Sequence, residues 1–210
     1  MTMILLVLAG YVLGSIPWGY WLPRLFAGVD IRQVGSGNTG AANVWRTVGF
    51  KVALAVGVLD MAKGAAAAVL GLLVDGELAG LLAGIGAMVG HWRPLFMGFR
   101  RGGKIVATTG GVALALAPLA ALAVSAVWIV VFLTFRYTSI ASMTAATALP
   151  ALVLVFGGSW PVFAFALGAA AAILVLHRTN IRRLLRGEEN RFELHRRRAA
   201  TVSREPRPGV

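Results

Sequence analysis

Thirty-one consecutive residues, Ile105 to Phe135, carry no Asp, Glu, Lys or Arg. A run of that length cannot close a water-facing surface, and it is longer than the roughly 20 apolar residues needed to cross a hydrocarbon core about 30 Å thick. The rest of the chain repeats the pattern. Only 13% of its 210 residues are charged and 58% are hydrophobic, whereas soluble domains carry about a quarter charged residues. Mean hydropathy is +0.78. These features indicate an all-α, polytopic integral membrane protein with no separate soluble domain. The expected division is a membrane domain over 1–190 and a basic, disordered cytoplasmic tail over 191–210.

Apolar segments are expected at Met3–Leu22, with Pro17 as a kink, and at Val52–Val74, Leu78–Gly90, Ile105–Phe135, Thr138–Phe156 and Pro161–Leu176. The start, MTMILLVLAGYVLG, lacks a basic leader region and is read as a retained first span. Charge alternates between the loops. Arg24, Arg32, Arg46 and Lys51 follow the first span, Asp75 and Glu77 sit in the next turn, and Arg93, Arg100, Arg101 and Lys104 follow. Ten arginines lie beyond His177. The positive-inside rule places the basic loops and the C-terminus in the cytoplasm and the N-terminus outside. Outside to inside requires an odd number of crossings, yet the apolar segments number six. The segment Ile105–Phe135, with Pro118 near its middle, is therefore read as a short hairpin of two helices, giving seven, in preference to one long tilted helix with a half-span elsewhere.

The net charge of +12 belongs to residues that flank apolar spans. It is read as topology and contact with anionic headgroups rather than nucleic-acid binding. The chain has no cysteine, which excludes disulfides and thiolate chemistry. Its histidines, at 91, 177 and 195, are too dispersed to suggest a metal site, and no cofactor motif is present. Gly102-Gly103-Lys104 lacks the spacing of a nucleotide P-loop.

Three polar islands remain. In the first, Gly35, Gly37 and Gly40 allow sharp turns that aim N–H groups at an anion. Ser36, Asn38 and Asn43 add donors, and Arg46 can grip phosphate with a fork. In the second, Gly102 and Gly103 let the backbone approach a ligand beside the Lys104 charge, and Arg100 and Arg101 read as lipid anchors. In the third, His177, Asn180 and Arg182 or Arg183 fall at helical spacing, followed by Glu189, and Arg196 to Arg198 read as a further lipid anchor. Asp60 and Lys63 lie within a span at i, i+3, as a structural ion pair or a functional pair. His91 can point into a polar cavity. Ser139 and Ser142 lie near the inner face, where serines also bond their own helix.

Read in order, GSIPWGYWL, VGSGNTGAANVWRTVG, LDMAKG, GHWRPLF, GGKIVAT, RYTSIAS and HRTNIRRLLRGEE resemble the bacterial acyl-phosphate:glycerol-3-phosphate acyltransferases, the PlsY family. The resemblance runs from Gly14 to Glu189. It implies a seven-helix enzyme of the bacterial inner membrane that moves a fatty acyl group from acyl phosphate to the sn-1 hydroxyl of glycerol 3-phosphate, without metal or cofactor. Ser36, Asn38, Asn43 and Arg46 match the family's first motif. Gly102, Gly103, Lys104 and Thr108 match the second, and His177, Asn180 and Glu189 the third. Asp60, Lys63, His91, Ser139 and Ser142 match supporting positions. The implied catalytic set is Ser36, Arg46, Lys104, His177 and Asn180. The others, with Gly35 and Gly37, would bind substrate. The family usually reads GGKG where Ile105 replaces the last glycine here. One arginine is inserted before the glycine pair, and Thr39 and Ala42 also depart from the usual residues.

An acyl phosphate is an activated anhydride, so alignment and charge neutralisation would suffice for direct transfer. His177 would act as base or orient the hydroxyl. The rival reading from another class is a transporter of phosphate esters or small anions. It would want polar groups through the bilayer depth and internal symmetry.

Overall fold

The computed structural model describes residues 1–192, so Arg196–Arg198 and nearly all of the expected tail lie outside the described residues. Within them every regular element is helical. The order is α1 (Thr2–Gly14), α2 (Trp18–Ala27), α3 (Ala41–Thr47), α4 (Phe50–Trp92), a 3-10 turn at Leu95–Met97, α5 (Val106–Leu116), α6 (Pro118–Phe135), α7 (Thr138–Val155), α8 (Trp160–Leu176) and α9 (Arg178–Leu185). By length and composition, Thr2–Ala27, Phe50–Met97, Pro118–Phe135 and Thr138–Val155 can each cross a membrane, and a fifth span arises from α8 with α9, bent by 56°.

Phe50–Met97 is not one rod. Asp75 (φ −149°, ψ 26°) and Gly76 (φ 78°, ψ −166°) leave helical geometry, and Asp60 ends 3.4 Å from His91. Along a straight helix those residues would lie about 47 Å apart. The chain therefore folds back at the acidic turn, and Gly71 packs its backbone on Ala79. The first span also differs from expectation. Pro17 lacks an N–H and disfavours helix in the residue before it. So α1 stops at Gly14 and α2 restarts at Trp18 as a separate short helix, rather than a kinked continuation to Leu22.

Small residues let the helices meet backbone to backbone, the packing available where lipid removes the hydrophobic drive between helices. Gly10 and Gly14 of α1 abut Ala83 and Ala87, while Gly86 and Gly90 abut Val7 and Tyr11. These pairings run α1 parallel to the second arm of α4. Helix α5 sits across both arms, with Gly64 on Thr108 and Gly84 on Val112. Around it Val112, Leu149, Val153, Val162, Phe165 and Ile173 form the main core.

The element ends sort to two poles. Lys104, Ser139, Asn180 and Glu189 are joined by hydrogen bonds at one pole. At the other, Ser159 donates to Glu77 beside the α4 break (2.7 Å), and Leu116 reaches Gly80. The segment from Lys104 to Ser139 thus leaves the first pole and returns to it, reversing at Ala117 (φ −145°, ψ 69°) before Pro118.

Candidate active site

The first island is a loop wrapped around one amide. Gly35 (φ 59°) and Gly37 (φ 67°) take left-handed conformations, which cost glycine little. They bring the chain round the buried Asn43 side chain. Asn43 Nδ2 donates to the carbonyls of Ile31 (3.3 Å), Val34 (3.1 Å) and Asn38 (3.0 Å), and Oδ1 accepts from the Ser36 N–H (3.0 Å). Asn38 then ties this loop to the second island, donating to the Gly102 carbonyl (3.1 Å) while accepting from the Gly40 N–H (2.9 Å).

The second island is stitched to the end of α4. The N–H groups of Gly102 and Gly103 donate to Trp92 (2.8 Å) and His91 (3.1 Å). Lys104 follows, and its ammonium donates to Asn180 Oδ1. Ile105 holds φ 61°, ψ −3°, the left-handed geometry that a glycine would adopt. The loop path survives the replacement.

The third island begins where α8 ends. His177 Nδ1 lies 2.8 Å from the Ile173 carbonyl, so Nδ1 carries the proton and the Nε2 lone pair is left available. Burial, and then the Lys104 charge, lower the His177 pKa to about 4; the ring is neutral at physiological pH. Burial likewise lowers Lys104 to about 8, opposed by Glu189 and assisted by Arg183, Arg101 and Arg46. Glu189 Oε1 accepts from Ser139 Oγ (2.8 Å) and Asn180 Nδ2 (2.7 Å). Arg183 Nε sits 3.2 Å from Glu189 Oε2, off the line of a hydrogen bond, so that contact is ionic only.

These loops enclose a cavity of about 260 Å³ lined by Ser36, Gly37, Asn38, Arg101, Lys104, Thr179 and Arg183. Its walls carry three cations and no carboxylate. Beside it an apolar groove of about 700 Å³ runs between the second arm of α4 and α8, from Leu78 and Pro161 to Ile105 and Leu176. Lys104 lines the cavity, and Ile105, the next residue in the chain, lines the groove. Such an arrangement can hold an anionic head and a hydrocarbon tail together.

The expected residues fall into four groups. Ser36, Gly37, Asn38 and Lys104 line the cavity. Gly35, Asn43, Gly102, Gly103, Ser139, Asn180 and Glu189 shape or orient that lining, and His177, bonded to its own helix, lies near enough to feel the Lys104 charge. Arg46 sits at the margin, its Nη2 donating to the Asn190 carbonyl (3.2 Å) and Thr138 Oγ1 (3.4 Å). The remainder lie outside the cavity wall. Asp60 pairs with Lys63 (2.8 Å), which also donates to the Ile16 carbonyl (2.9 Å) freed by the α1 break, and His91 packs against them. Ser142 accepts from Trp128 Nε1 (3.1 Å), and Thr108 is fully buried against Gly64. Two lining residues, Arg101 and Thr179, were not expected as site residues, and Arg183 is one of the two arginines that the third island offered. Arg101 faces the cavity rather than serving only as a lipid anchor. Arg183 stands one turn from Asn180, a spacing legible in the sequence, whereas nothing marks Thr179.

The chain has close relatives. A family profile described as "Glycerol-3-phosphate acyltransferase" matches residues 4–187. A glycerol-3-phosphate acyltransferase of Roseiflexus sp. (strain RS-1) is 52% identical over 199 residues, covering 90% of this chain and 95% of the relative. Another, of Synechococcus sp. (strain JA-3-3Ab), is 46% identical over 192 residues, covering 91% and 94%. Among solved structures, the glycerol 3-phosphate form of PlsY, an integral membrane glycerol 3-phosphate acyltransferase, superposes with a TM-score of 0.87 at 40% identity over 92% of this chain and 96% of that one. Its lysophosphatidic acid form gives 0.85 at 39% identity, with the same coverage. With a family profile matched over most of its length and relatives near half identical, this chain is a member of the glycerol-3-phosphate acyltransferase family.

Proposed function

We propose that the protein transfers a fatty acyl group from an acyl phosphate to the sn-1 hydroxyl of glycerol 3-phosphate, releasing phosphate and lysophosphatidic acid for phospholipid synthesis. The observation that carries this is the junction at Lys104–Ile105, where a cavity with three cationic walls adjoins a groove of tail-like apolarity. The relatives solved with glycerol 3-phosphate and lysophosphatidic acid support the acceptor and the product.

The hydroxyl oxygen attacks the acyl carbonyl. The new C–O ester bond forms as the bond from acyl carbon to phosphate oxygen breaks, and inorganic phosphate leaves. Lys104, Arg101 and Arg183 offset phosphate charge in a partly dehydrated site, where each contact is stronger than in water. His177, neutral and with Nε2 available, serves to orient the hydroxyl or take its proton. Ser36 and the neighbouring backbone hold the polar end in register with the carbonyl. Arg46 strengthens the local positive field.

The reading places the site at the cytoplasmic face of a bacterial inner membrane, with seven crossings and the N-terminus outside. Supporting this, α1 runs from the far pole to the site pole, while α4, α5 with α6, and α7 with α8 each form a pair of crossings. Because the chain has no cysteine, single cysteines at Thr2 and Arg178 can be labelled from either side of a vesicle. Labelling of both from the same side overturns the topology.

Purified protein given acyl phosphate and glycerol 3-phosphate should release inorganic phosphate, and Lys104→Ala should abolish release without loss of fold. Transfer from acyl-CoA alone would overturn the donor. Uptake of glycerol 3-phosphate into liposomes without turnover would favour a transporter.

A further inference from the structure

The polar end of the molecule continues past α9. Gly187 (φ 70°) turns the chain, and residues 188–192 run back across the start of α7. Phe192 pins the end of this strap. Its N–H donates to the Arg136 carbonyl (2.8 Å), and its ring is 6% exposed. The ring packs 4.7 Å from Trp45 and 5.5 Å from Phe132, centroid to centroid.

Two charged site groups depend on that anchor. The Arg46 guanidinium carbon lies 4.4 Å from the centre of the Phe192 ring, while Nη2 donates to the Asn190 carbonyl (3.2 Å). Glu189, three residues before Phe192, accepts from Asn180, which in turn accepts from Lys104. One aromatic side chain therefore stands behind both Arg46 and the orientation of Lys104. The physical need is clear. Arg46 is long, and unsupported it would lose its orientation to rotamer freedom or collapse onto the nearby Glu189 carboxylate. A guanidinium stacked on a ring is held flat with its edge still free for an anion. Phe192 also lies beyond the residues 4–187 that match the family profile.

We propose that Phe192 is a positioning residue for phosphate binding: it anchors the 187–192 strap and stacks on Arg46, so that Arg46, and through Glu189 and Asn180 also Lys104, present their charge toward the cavity. The proposal rests on the site reading above. Phe192 is buried and lies outside the cavity lining, so its expected effect falls on KM for glycerol 3-phosphate rather than on kcat.

The test is a kinetic comparison of purified full-length variants. Phe192→Leu removes the ring face and keeps apolar bulk, so KM should rise about three- to tenfold, the scale of a partly desolvated cation–π contact, with kcat within about twofold. Phe192→Tyr should restore the wild-type KM. In an Arg46→Lys background, which changes the stacked group, Phe192→Leu should add less than in the wild type. Phe192→Met provides a second non-aromatic variant with the same expectation. A KM unchanged in Phe192→Leu and Phe192→Met overturns the proposal, as does failure of both to fold, which would make the ring purely structural. The site reading fails differently: Lys104→Ala and Arg46→Ala would then keep near-native phosphate release.

Discussion

The His91 imidazole occupies the space where a side chain at Gly103 would stand: a Cβ built there would overlap Nε2. The second-island loop is therefore moulded on the end of α4, and its glycines are a steric requirement. Gly103→Ala should push Lys104 from its place and lower phosphate release about a hundredfold, the scale of a 1 Å misplacement at a reacting site. Adding His91→Ala should recover part of the loss. Equal activity in wild type and Gly103→Ala would refute the moulding.

The depressed pKa of Lys104, about 8, predicts an alkaline limb. The ammonium is present below that value and is lost as pH rises through it, and substrate phosphate loses its partner in the same interval. The kcat/KM profile of the free enzyme should fall with a midpoint near pH 8. Lys104→Arg, always charged, should carry the limb well above pH 10 even if activity is lower. A wild-type profile flat to pH 10 would contradict this.

Much of this was readable beforehand, and the exceptions have a common cause. The islands announced themselves because asparagine and arginine are costly in lipid unless used, and here they cluster with glycine at the ends of apolar segments. The acidic turn at Asp75 and the reversal at Pro118 carried local signals, a charge pair and a missing N–H. What stayed hidden depended on contacts far apart in the chain. Arg46 meets Phe192 across 146 positions of the 210-residue sequence, and a phenylalanine in a polar stretch has no pattern to distinguish it. Arg101 looked like any interfacial arginine until the fold turned it inward. Asp60 and Lys63 looked substrate-directed as readily as paired, and the choice depended on how the hairpin closes over His91.

That buried pair gives a stability prediction. Asp60 and Lys63 are 3% and 5% exposed. Removing one partner leaves an uncompensated charge, so Asp60→Leu should cost about 3–5 kcal/mol. Asp60→Leu together with Lys63→Met removes both charges and should recover more than half of that. Thermal unfolding in detergent measures it. A double variant no more stable than the single one would show that the charges serve something other than each other.

Ile105 sets two effects in opposition. A left-handed β-branched residue costs about 1–2 kcal/mol, which Ile105→Gly would relieve. The same change deletes a buried side chain, worth about 1.5–3 kcal/mol if it left water, but less here because the groove faces lipid-like surroundings. The terms nearly cancel. Ile105→Gly should unfold within about 1 kcal/mol of the wild type and retain turnover on acyl phosphate. A loss beyond 3 kcal/mol would mean that the side chain is a principal packing element of the groove.

The meeting of wet and oily compartments at the Lys104–Ile105 peptide bond has a consequence for traffic. A molecule with a charged end and a long aliphatic end can rest there with neither portion in the wrong solvent. It need never detach fully into water to arrive or depart. On the proposed reaction, its aliphatic part would leave along the groove that α8 lines, while the small, fully ionic participants would use the polar cavity.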